Sequence, residues 1–530
     1  MSSRLKAGLL KTAMTMRRNH YLYLVAFTSG CVTLSLELSA SRLLAPAFGT
    51  TEIIWSAIIG LILLYLSVGY LAGGRWADQS PEPGTLYTIL CVAGCAIALI
   101  PPLSHPVLNL AVKGMRAWNL GFIAGPFLLI LALFAIPVTL LATISPFIIR
   151  LSVHNVQRSG GTAGMVYALS TAGSFLGAFL PNLLLIPNLG TWRTFVVLAI
   201  VCLVTGLGGL WLVKRRRFWI FCLLLLAVIF LLIYRPDVTK TQKGLIYESE
   251  STYNFIQVIE DSGQRRYLLL NEGQGIHSIY TPPNLIEENP LAILTDGPWD
   301  YFLIAPFFNT PPFPLSNVQS MLVIGLAAGT TVTEFTEFYG TLPVDGVEID
   351  PEIVSVAKTF FDMKQPNLAV HIADGRTYLA TTDRQYSLIV IDAYRLPYIP
   401  WHLTTVEFFR QVRNHLDTTG AVAINVGHTT SDWQLVDAMV ATLETVFPSV
   451  HIINIEGSLN AVVVATPQIT IPDNLVENLP SISDSRLQLI AQRAAANLRK
   501  PEPGALIFTD DRAPVEQLSH EVALSYILGE

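Results

Sequence analysis

Charge is what this chain has least of. Asp, Glu, Lys and Arg make up 14% of its 530 residues, against about 25% in a typical soluble protein. That scarcity excludes a string of three or four soluble domains, which length alone would suggest at roughly 150 residues each. Disorder is excluded as well, because 52% of the residues are hydrophobic and 10% aromatic, far too apolar for a chain that stays unfolded. Cysteine is also scarce. Cys31, Cys91, Cys95, Cys202 and Cys222 all fall inside apolar runs, where a thiol packs as a small apolar side chain. None follows residue 222, so the second half has no disulfide and no thiolate metal site. Also missing are a GKS/T phosphate loop, an HExxH pair and a serine nucleophile elbow. No Cys/His/Asp spacing suits a metal.

The formal net charge of −6 hides a division. Residues 1–234 hold 16 Lys and Arg against 4 Asp and Glu, a net of +12, whereas residues 235–530 hold the other 17 against 35, a net of −18. An acidic second half argues against a nucleic acid partner. Apolar runs of the roughly 20 residues that a helical span needs lie near 21–45, 53–74, 86–109, 121–149, 165–187, 193–213 and 218–234. They predict about seven membrane-spanning helices and a lipid bilayer as partner. A cleaved signal peptide would instead give one short run near the N-terminus. Proline interrupts the third run at Pro101, Pro102 and Pro106, which makes it the weakest of the seven.

Basic residues flank these runs: Arg4, Lys6, Lys11, Arg17 and Arg18 before the first, Arg150 and Arg158 after the fourth, and Lys214 to Arg217 between the last two. The positive-inside rule places them on the cytoplasmic side. Seven spans would then put residues after 235 outside, and one span more or fewer would reverse this. Within the runs, Glu37 in LSLELSASRLLAPAFG either faces a polar cavity, ion or substrate, or pairs with Arg42 at the interface. Gly173 and Gly177 form a small-xxx-small face suited to close helix packing.

After Arg235 the apolar runs shorten. LIYESESTYNFIQVIED, RRYLLLNEG and GIHSIY read as strands of a small antiparallel sheet, with Asp261-Ser262-Gly263 turning between the first two. Proline-rich stretches at 282–290 and 306–314 read as linkers. From 320 strands alternate with helices: MLVIGL, VDGVEID, VHIAD, SLIVIDAY and AVAINV are the strands. Such alternation predicts a mainly parallel sheet covered on both faces, with ligands at the carboxyl ends of its strands. Gly325, Glu348, Asp374 and Asp392 occupy those ends. The small residues from Gly325 to Gly329 let a ligand approach backbone N–H groups. Glu348, 23 residues after Gly325, can accept from both ribose hydroxyls. Asp374, followed by Gly375, can accept from an adenine amino group, and Asp392 points to the crevice centre. Each carboxylate can alternatively be a helix N-cap. Few glycines and no basic phosphate ligand suit an adenosine nucleoside better than a dinucleotide. His277 and His402, taken singly, read as loop or cap residues.

These residues resemble the spermidine synthase family, whose domain is similar to the class I methyltransferases. The matching pieces are YESESTYNFIQV, MLVIGLAAG, VDGVEIDPEIVSVAKTFF, VHIADGRTYL, YSLIVIDAY and LDTTGAVAINV, over about residues 245–466. The resemblance is stronger to proteins that fuse a multi-span domain to this one. IDAYRLPYIPWHLTTVEFF, with Pro400, His402, Leu403 and Thr404, and FTDDRAPVE, with Asp510 and Asp511, look like signatures of that subgroup. The implied organisation is an all-α polytopic membrane domain at 1–234, a small β-rich subdomain and linker at 235–318, and a Rossmann-like domain at 319–530.

The resemblance implies aminopropyl transfer from decarboxylated S-adenosylmethionine to a diamine, with no metal. Decarboxylated S-adenosylmethionine or S-adenosylmethionine is the expected co-substrate, and a polyamine or other small acceptor its partner. Gly325, Gly329, Glu348, Asp374 and Gly375 would bind the nucleoside, and Asp392 would be the general base. Tyr253, Asn254 and Arg395 would meet the acceptor. Three positions depart from the family. Its aspartate in the glycine turn is here Ala328, the second aspartate of its DxxD segment is Arg395, and its tyrosine–glutamine pair is Tyr253-Asn254. Two anionic contacts for a diamine are gone, so the acceptor side looks altered, toward an anionic or lipidic molecule. The other reading is a transporter or membrane sensor whose C-terminal domain binds a nucleoside or polyamine without turnover. A homo-oligomer is compatible with either. The nucleoside, a cytosolic metabolite, favours a cytoplasmic C-terminal domain, against the seven-span count.

Overall fold

The computed structural model describes residues 2–519, apart from 49–51, 119–123, 154–156, 158, 214, 234–242, 272–274, 395–398 and 503. The chain divides into two compact units, Met1–Thr241 and Gln242–Glu530.

The first unit is helical: α1 (Ser2–Phe48), α2 (Glu52–Gln79), α3 (Pro83–Trp118), α4 (Ala124–Ser152), α5 (Ser159–Leu180), α6 (Ile186–Val213) and α7 (Arg215–Ile233). Among the described residues, five stretches are long and apolar enough to cross a membrane, by length and composition: His20–Leu44, Ile54–Gln79, Pro83–Ser104, Phe127–Ser152 and Ser159–Val213. The last has 55 residues and contains two of the seven expected runs. At 1.5 Å per residue it would be about 80 Å long if straight, over twice a hydrocarbon core of about 30 Å. It is broken by a π-helical turn at Pro181–Leu185 and by Gly190, whose φ of 79° no helix contains. The seventh run forms the shorter apolar helix Arg217–Ile233. Pro101, Pro102 and Pro106 do not end α3. At the ends of α4 and α2, Arg150 pairs with Asp78 at 3.0 Å, an exposed contact of little energetic weight.

Helices pair closely where side chains are absent. α1 packs on α5, α2 on α4 and α3 on α6. A Cβ on Gly173 would lie 2.0 Å from the Phe27 carbonyl oxygen, and one on Gly177 2.2 Å from that of Cys31. In the space so opened, Ser35 Oγ donates to the Gly177 carbonyl and Ser174 Oγ to that of Gly30, both at 3.1 Å. Backbone cannot yield as a flexible side chain can. Gly173→Leu is therefore expected to cost at least the roughly 1–3 kcal/mol of an overpacked core. Thermal melting of the detergent-solubilised protein should show a drop for Gly173→Leu and none for Gly164→Ala, which has open space around it.

The second unit starts with four antiparallel strands, β1 (Leu245–Glu250), β2 (Phe255–Glu260), β3 (Arg266–Leu270) and β4 (Ile276–Tyr280). Asp261 closes the β2–β3 turn by accepting from the N–H groups of Gly263 and Arg265. Next come α8 (Pro283–Glu288) and α9 (Pro298–Phe302). The two stretches expected to be linkers are built differently. Residues 283–288 and 290–293 form helical turns, and Pro306, Phe307 and Phe308 are buried in another. Proline there starts helical turns, and the aromatic residues around it supply core, so the small sheet and main sheet share one apolar cluster that includes Val258, Leu268, Phe302, Phe307 and Val323.

The main sheet comprises β5 (Met321–Ile324), β6 (Val344–Glu348), β7 (Leu368–Ile372), β8 (Tyr386–Ile391), β9 (Leu416–Gly427), β10 (Ser449–Asn454), β11 (Asn460–Thr466) and β12 (Leu498–Arg499). Between them lie α10 (Thr330–Tyr339), α11 (Pro351–Phe360), α12 (Gly375–Thr381), α13 (Val406–Asn414), α14 (Gln434–Glu444), α15 (Asp473–Asn478) and α16 (Ser485–Ala496). The spatial order is β12-β10-β11-β9-β8-β5-β6-β7. From β9 to β7 every pairing is parallel, as the alternation of strands and helices predicts, while β11, β10 and β12 add an antiparallel edge. The strands β5 and β8 are wholly buried, which is why they read as continuous apolar runs.

Candidate active site

The sheet order sets the candidate residues in a row. Asp392 follows β8, Gly325 follows β5, Glu348 ends β6 and Asp374 lies just past β7, and these four strands are consecutive neighbours. At about 4.8 Å between strands the row is roughly 14 Å long, room for a nucleoside laid across the strand ends.

The glycine turn needs its glycines. Gly325 has φ +90° and packs so closely on the next strand's exit that a Cβ would fall 2.5 Å from the Asp392 carbonyl oxygen. Gly329, at φ +85°, is the N-cap of α10. Between them the Ala327 N–H donates to Glu348 Oε2 at 3.0 Å and the Ala328 N–H to Ser278 Oγ at 2.9 Å. Ser278 lies on β4, so the small sheet holds the turn. Ala328 itself is buried. Gly375 is needed for packing, since a Cβ there would meet Ile324 Cγ2 at 2.3 Å.

Glu348 is 7% exposed. Its Oε1 accepts from the Asp350 N–H at 3.0 Å. Burial raises its pKa to about 7 despite backbone hydrogen bonds from Asp350, Ala327 and Ile349. Glu348 caps no helix; Asp350, two residues on, is the N-cap of α11. Asp374 does cap a helix, α12, accepting from the Thr377 N–H and hydroxyl through Oδ1. Its Oδ2 faces His402 Nε2 at 2.8 Å, and that hydrogen bond is the main cause of a pKa lowered to about 2. Both sequence-level alternatives for Asp374, cap and ligand contact, are compatible because each uses a different oxygen.

Asp392 sits half-buried between two neutral donors. Trp299 Nε1 donates to Oδ2 at 3.0 Å, and Asn425 Nδ2 to Oδ1 at 2.9 Å. Asn425 is in turn held by Asn460, whose Nδ2 donates to its Oδ1 at 2.7 Å. Burial outweighs the two donors and pushes the Asp392 pKa up to about 7. Each oxygen keeps a lone pair for a further donor. Trp299, Asn425, Asn460 and Ser278 were not singled out from the sequence. Trp299 lies in a stretch with no periodic signal, and the asparagines meet only because β11 runs antiparallel beside β9.

Of the residues expected to meet an acceptor, Tyr253 is exposed and Asn254 buried. Asn254 Nδ2 donates to Asp350 Oδ2 at 2.9 Å, and its Oδ1 accepts from Asn271 Nδ2 at 2.9 Å. Asn254 thus ties the small sheet to the exit of β6. Arg395 lies outside the described residues. His277 is half-buried on β4, and loss of solvent around its ring lowers its pKa to about 4. Among the described residues no cluster of His, Cys, Asp or Glu could hold a metal ion.

Residues 307–456 match the family model described as the spermine/spermidine synthase domain. A probable polyamine aminopropyl transferase of Bifidobacterium longum is 28% identical over 299 residues, 52% of this chain and 63% of that protein. A polyamine aminopropyltransferase of Vibrio vulnificus is 33% identical over 144 residues, 26% of this chain and 45% of that protein. The chain therefore spans less than two thirds of the length of these two relatives. A solved structure of a probable spermidine synthase from Corynebacterium glutamicum is similar at 17% identity with a TM-score of 0.41, covering 50% of this chain and 96% of that one. The C-terminal part of the chain is therefore similar to the spermine/spermidine synthase domain, and it follows a helical region in which, among the described residues, five stretches are apolar enough to cross a membrane.

Proposed function

We propose that the protein is a membrane-anchored alkyl transferase that binds decarboxylated S-adenosylmethionine or S-adenosylmethionine and, following its family, moves an aminopropyl group to an amine. The observation that carries this reading is the row of Asp392, the glycine turn, Glu348 and Asp374 along four adjacent strand ends. Glu348, at the end of the strand beside the glycine turn, suits the two ribose hydroxyls. Asp374 suits the adenine amino group. The turn's N–H groups from Gly325 to Gly329 are all donated within the protein, so its small residues serve the sulfonium side by lacking bulk and not, as the sequence alone predicts, by offering backbone donors.

The reaction is a displacement at carbon. The acceptor nitrogen's lone pair forms the new C–N bond as the C–S bond breaks, and those electrons neutralise the sulfonium, leaving methylthioadenosine. The attacking nitrogen must lose a proton, which Asp392 accepts. A base with a pKa of about 7 is poised for this near neutral pH. On the acceptor side, Ala328 in place of the family's aspartate removes an anionic contact for a diamine. With a positive charge at Arg395 where the family has a second aspartate, this supports an acceptor other than a simple diamine, anionic or lipidic in character.

Calorimetry on the full-length protein in lipid nanodiscs, with S-adenosylmethionine, its decarboxylated form and methylthioadenosine in turn, tests this reading. Tightest binding of the decarboxylated donor supports aminopropyl transfer, and preference for S-adenosylmethionine redirects the reading to methyl transfer. Binding of none of the three overturns it. Binding with no product from any acceptor amine favours a sensor or transporter instead.

A further inference from the structure

Two sequence signatures, the segment around His402 and the FTDDRAPVE stretch, have no part in the site so far. They converge beside Asp374. Arg376 follows Gly375 on α12 and grips Asp510 with both terminal nitrogens, at 2.7 and 2.6 Å. The same Nη1 reaches the His402 carbonyl at 3.3 Å. Thr405 Oγ1 donates to Asp510 Oδ1 at 2.7 Å, and the Asp510 N–H donates to Glu407 Oε2 at 3.0 Å. Two residues earlier Phe508 is fully buried, its N–H on Thr442 Oγ1 and its carbonyl accepting from the Val406 N–H. A late strap is thus anchored in the core and fixes the start of α13 together with the segment that presents His402.

His402 points its Nε2 at Asp374 Oδ2, 2.8 Å away. Since Oδ1 is spent on Thr377, Oδ2 is the oxygen left to meet a ligand. Both side chains are reachable, at 33% and 30% exposure. An imidazole on one lone pair leaves the other for a further donor.

We propose that His402 is a positioning residue for nucleobase recognition: it orients Asp374 Oδ2 toward the amino edge of the base, and the Arg376–Asp510 clamp holds His402 in place. This rests on the nucleoside reading above. A 6-amino base donates to that oxygen. A 6-oxo base would set one acceptor against another, and a site built to hydrogen-bond an amino group rejects the analogue that lacks it. The pair therefore confers discrimination between the two bases and adds more to selectivity than to affinity.

The test compares methylthioadenosine with methylthioinosine, its 6-oxo counterpart, by calorimetry on the full-length protein in lipid nanodiscs. The wild type is expected to favour the amino form by about tenfold or more, the size of one discriminating hydrogen bond. His402→Ala and Asp510→Asn should each lose most of that ratio. His402→Gln, which can still donate an amide N–H to Asp374, should restore it. A general loss of structure would weaken both ligands together and leave no rescue by Gln. A wild type that binds both bases equally, or variants that keep the full ratio, would overturn the inference while leaving the nucleoside site standing. A wild type that binds neither overturns the nucleoside reading itself.

Discussion

Asp392→Asn is expected to reduce turnover by about 10²–10⁴-fold, the usual worth of a general base, while leaving methylthioadenosine affinity within about threefold. The carboxamide matches the carboxylate in shape but cannot take the proton. It also turns an N–H toward either Trp299 or Asn425, both of which donate to Asp392. Binding measured beside turnover shows that the fold survives this mismatch. In the wild type the rate should rise with pH through about 7, the value to which burial pushes the Asp392 carboxyl. A rate that follows an acid limb near pH 4, or that survives the substitution, would remove Asp392 from the chemistry.

The same burial has a consequence for stability with a definite sign. Asp392 and Glu348 both titrate at about 7 in the folded protein, against about 3.9 and 4.3 unfolded. Between those values the folded state holds protons that the unfolded state has released. The contribution of these two groups is therefore fully present below pH 4 and is lost as pH rises through about 7. Asp374, lowered to about 2 by His402, acts oppositely: its contribution is present above about 3.9 and lost as pH falls through 2.

Glu348→Ala is expected to weaken nucleoside binding by about 10- to 100-fold or more, since a hydrogen bond to a charged group contributes about 1.5–3 kcal/mol and two ribose hydroxyls are at stake. The substitution also orphans the N–H groups of Ala327 and Asp350, so the turn itself loosens. Glu348→Gln separates the effects, because its carbonyl oxygen still serves one of them. It should retain more of the melting temperature than of the affinity. Unchanged calorimetric affinity in Glu348→Ala would show that the nucleoside, if bound, lies elsewhere. Because ribose hydroxyls favour the ionised carboxylate, binding below pH 7 should release a proton, visible as a buffer-dependent heat.

Much of this architecture is legible before any coordinates. The change from long apolar helices to short strands and helices follows from charge and apolar run length alone. Strand ends carrying Gly325, Glu348, Asp374 and Asp392 are legible because buried parallel strands are short, apolar and end abruptly. Gly173 and Gly177 announce a close helix contact, which the Phe27 and Cys31 carbonyls then make. The proline-rich stretches misled, because proline marks helical first turns as well as linkers. The fifth and sixth apolar runs share one long helical stretch, since a π-turn and a glycine break interrupt it less visibly than a polar loop would.

What the sequence by itself determined is the division into an apolar helical half and an acidic half of alternating strands and helices, and which residues stand at the strand ends, because both depend on local composition and on periodicity within a few residues. What only the tertiary structure decided is which oxygen of each carboxylate is occupied. Trp299 and Asn425 on Asp392, Ser278 on the Ala328 N–H, and Asp510 on Arg376 beside His402 are contacts between residues 33 to 134 positions apart. Such partners are chosen by strand order and by a strap folding back, and no local pattern records them.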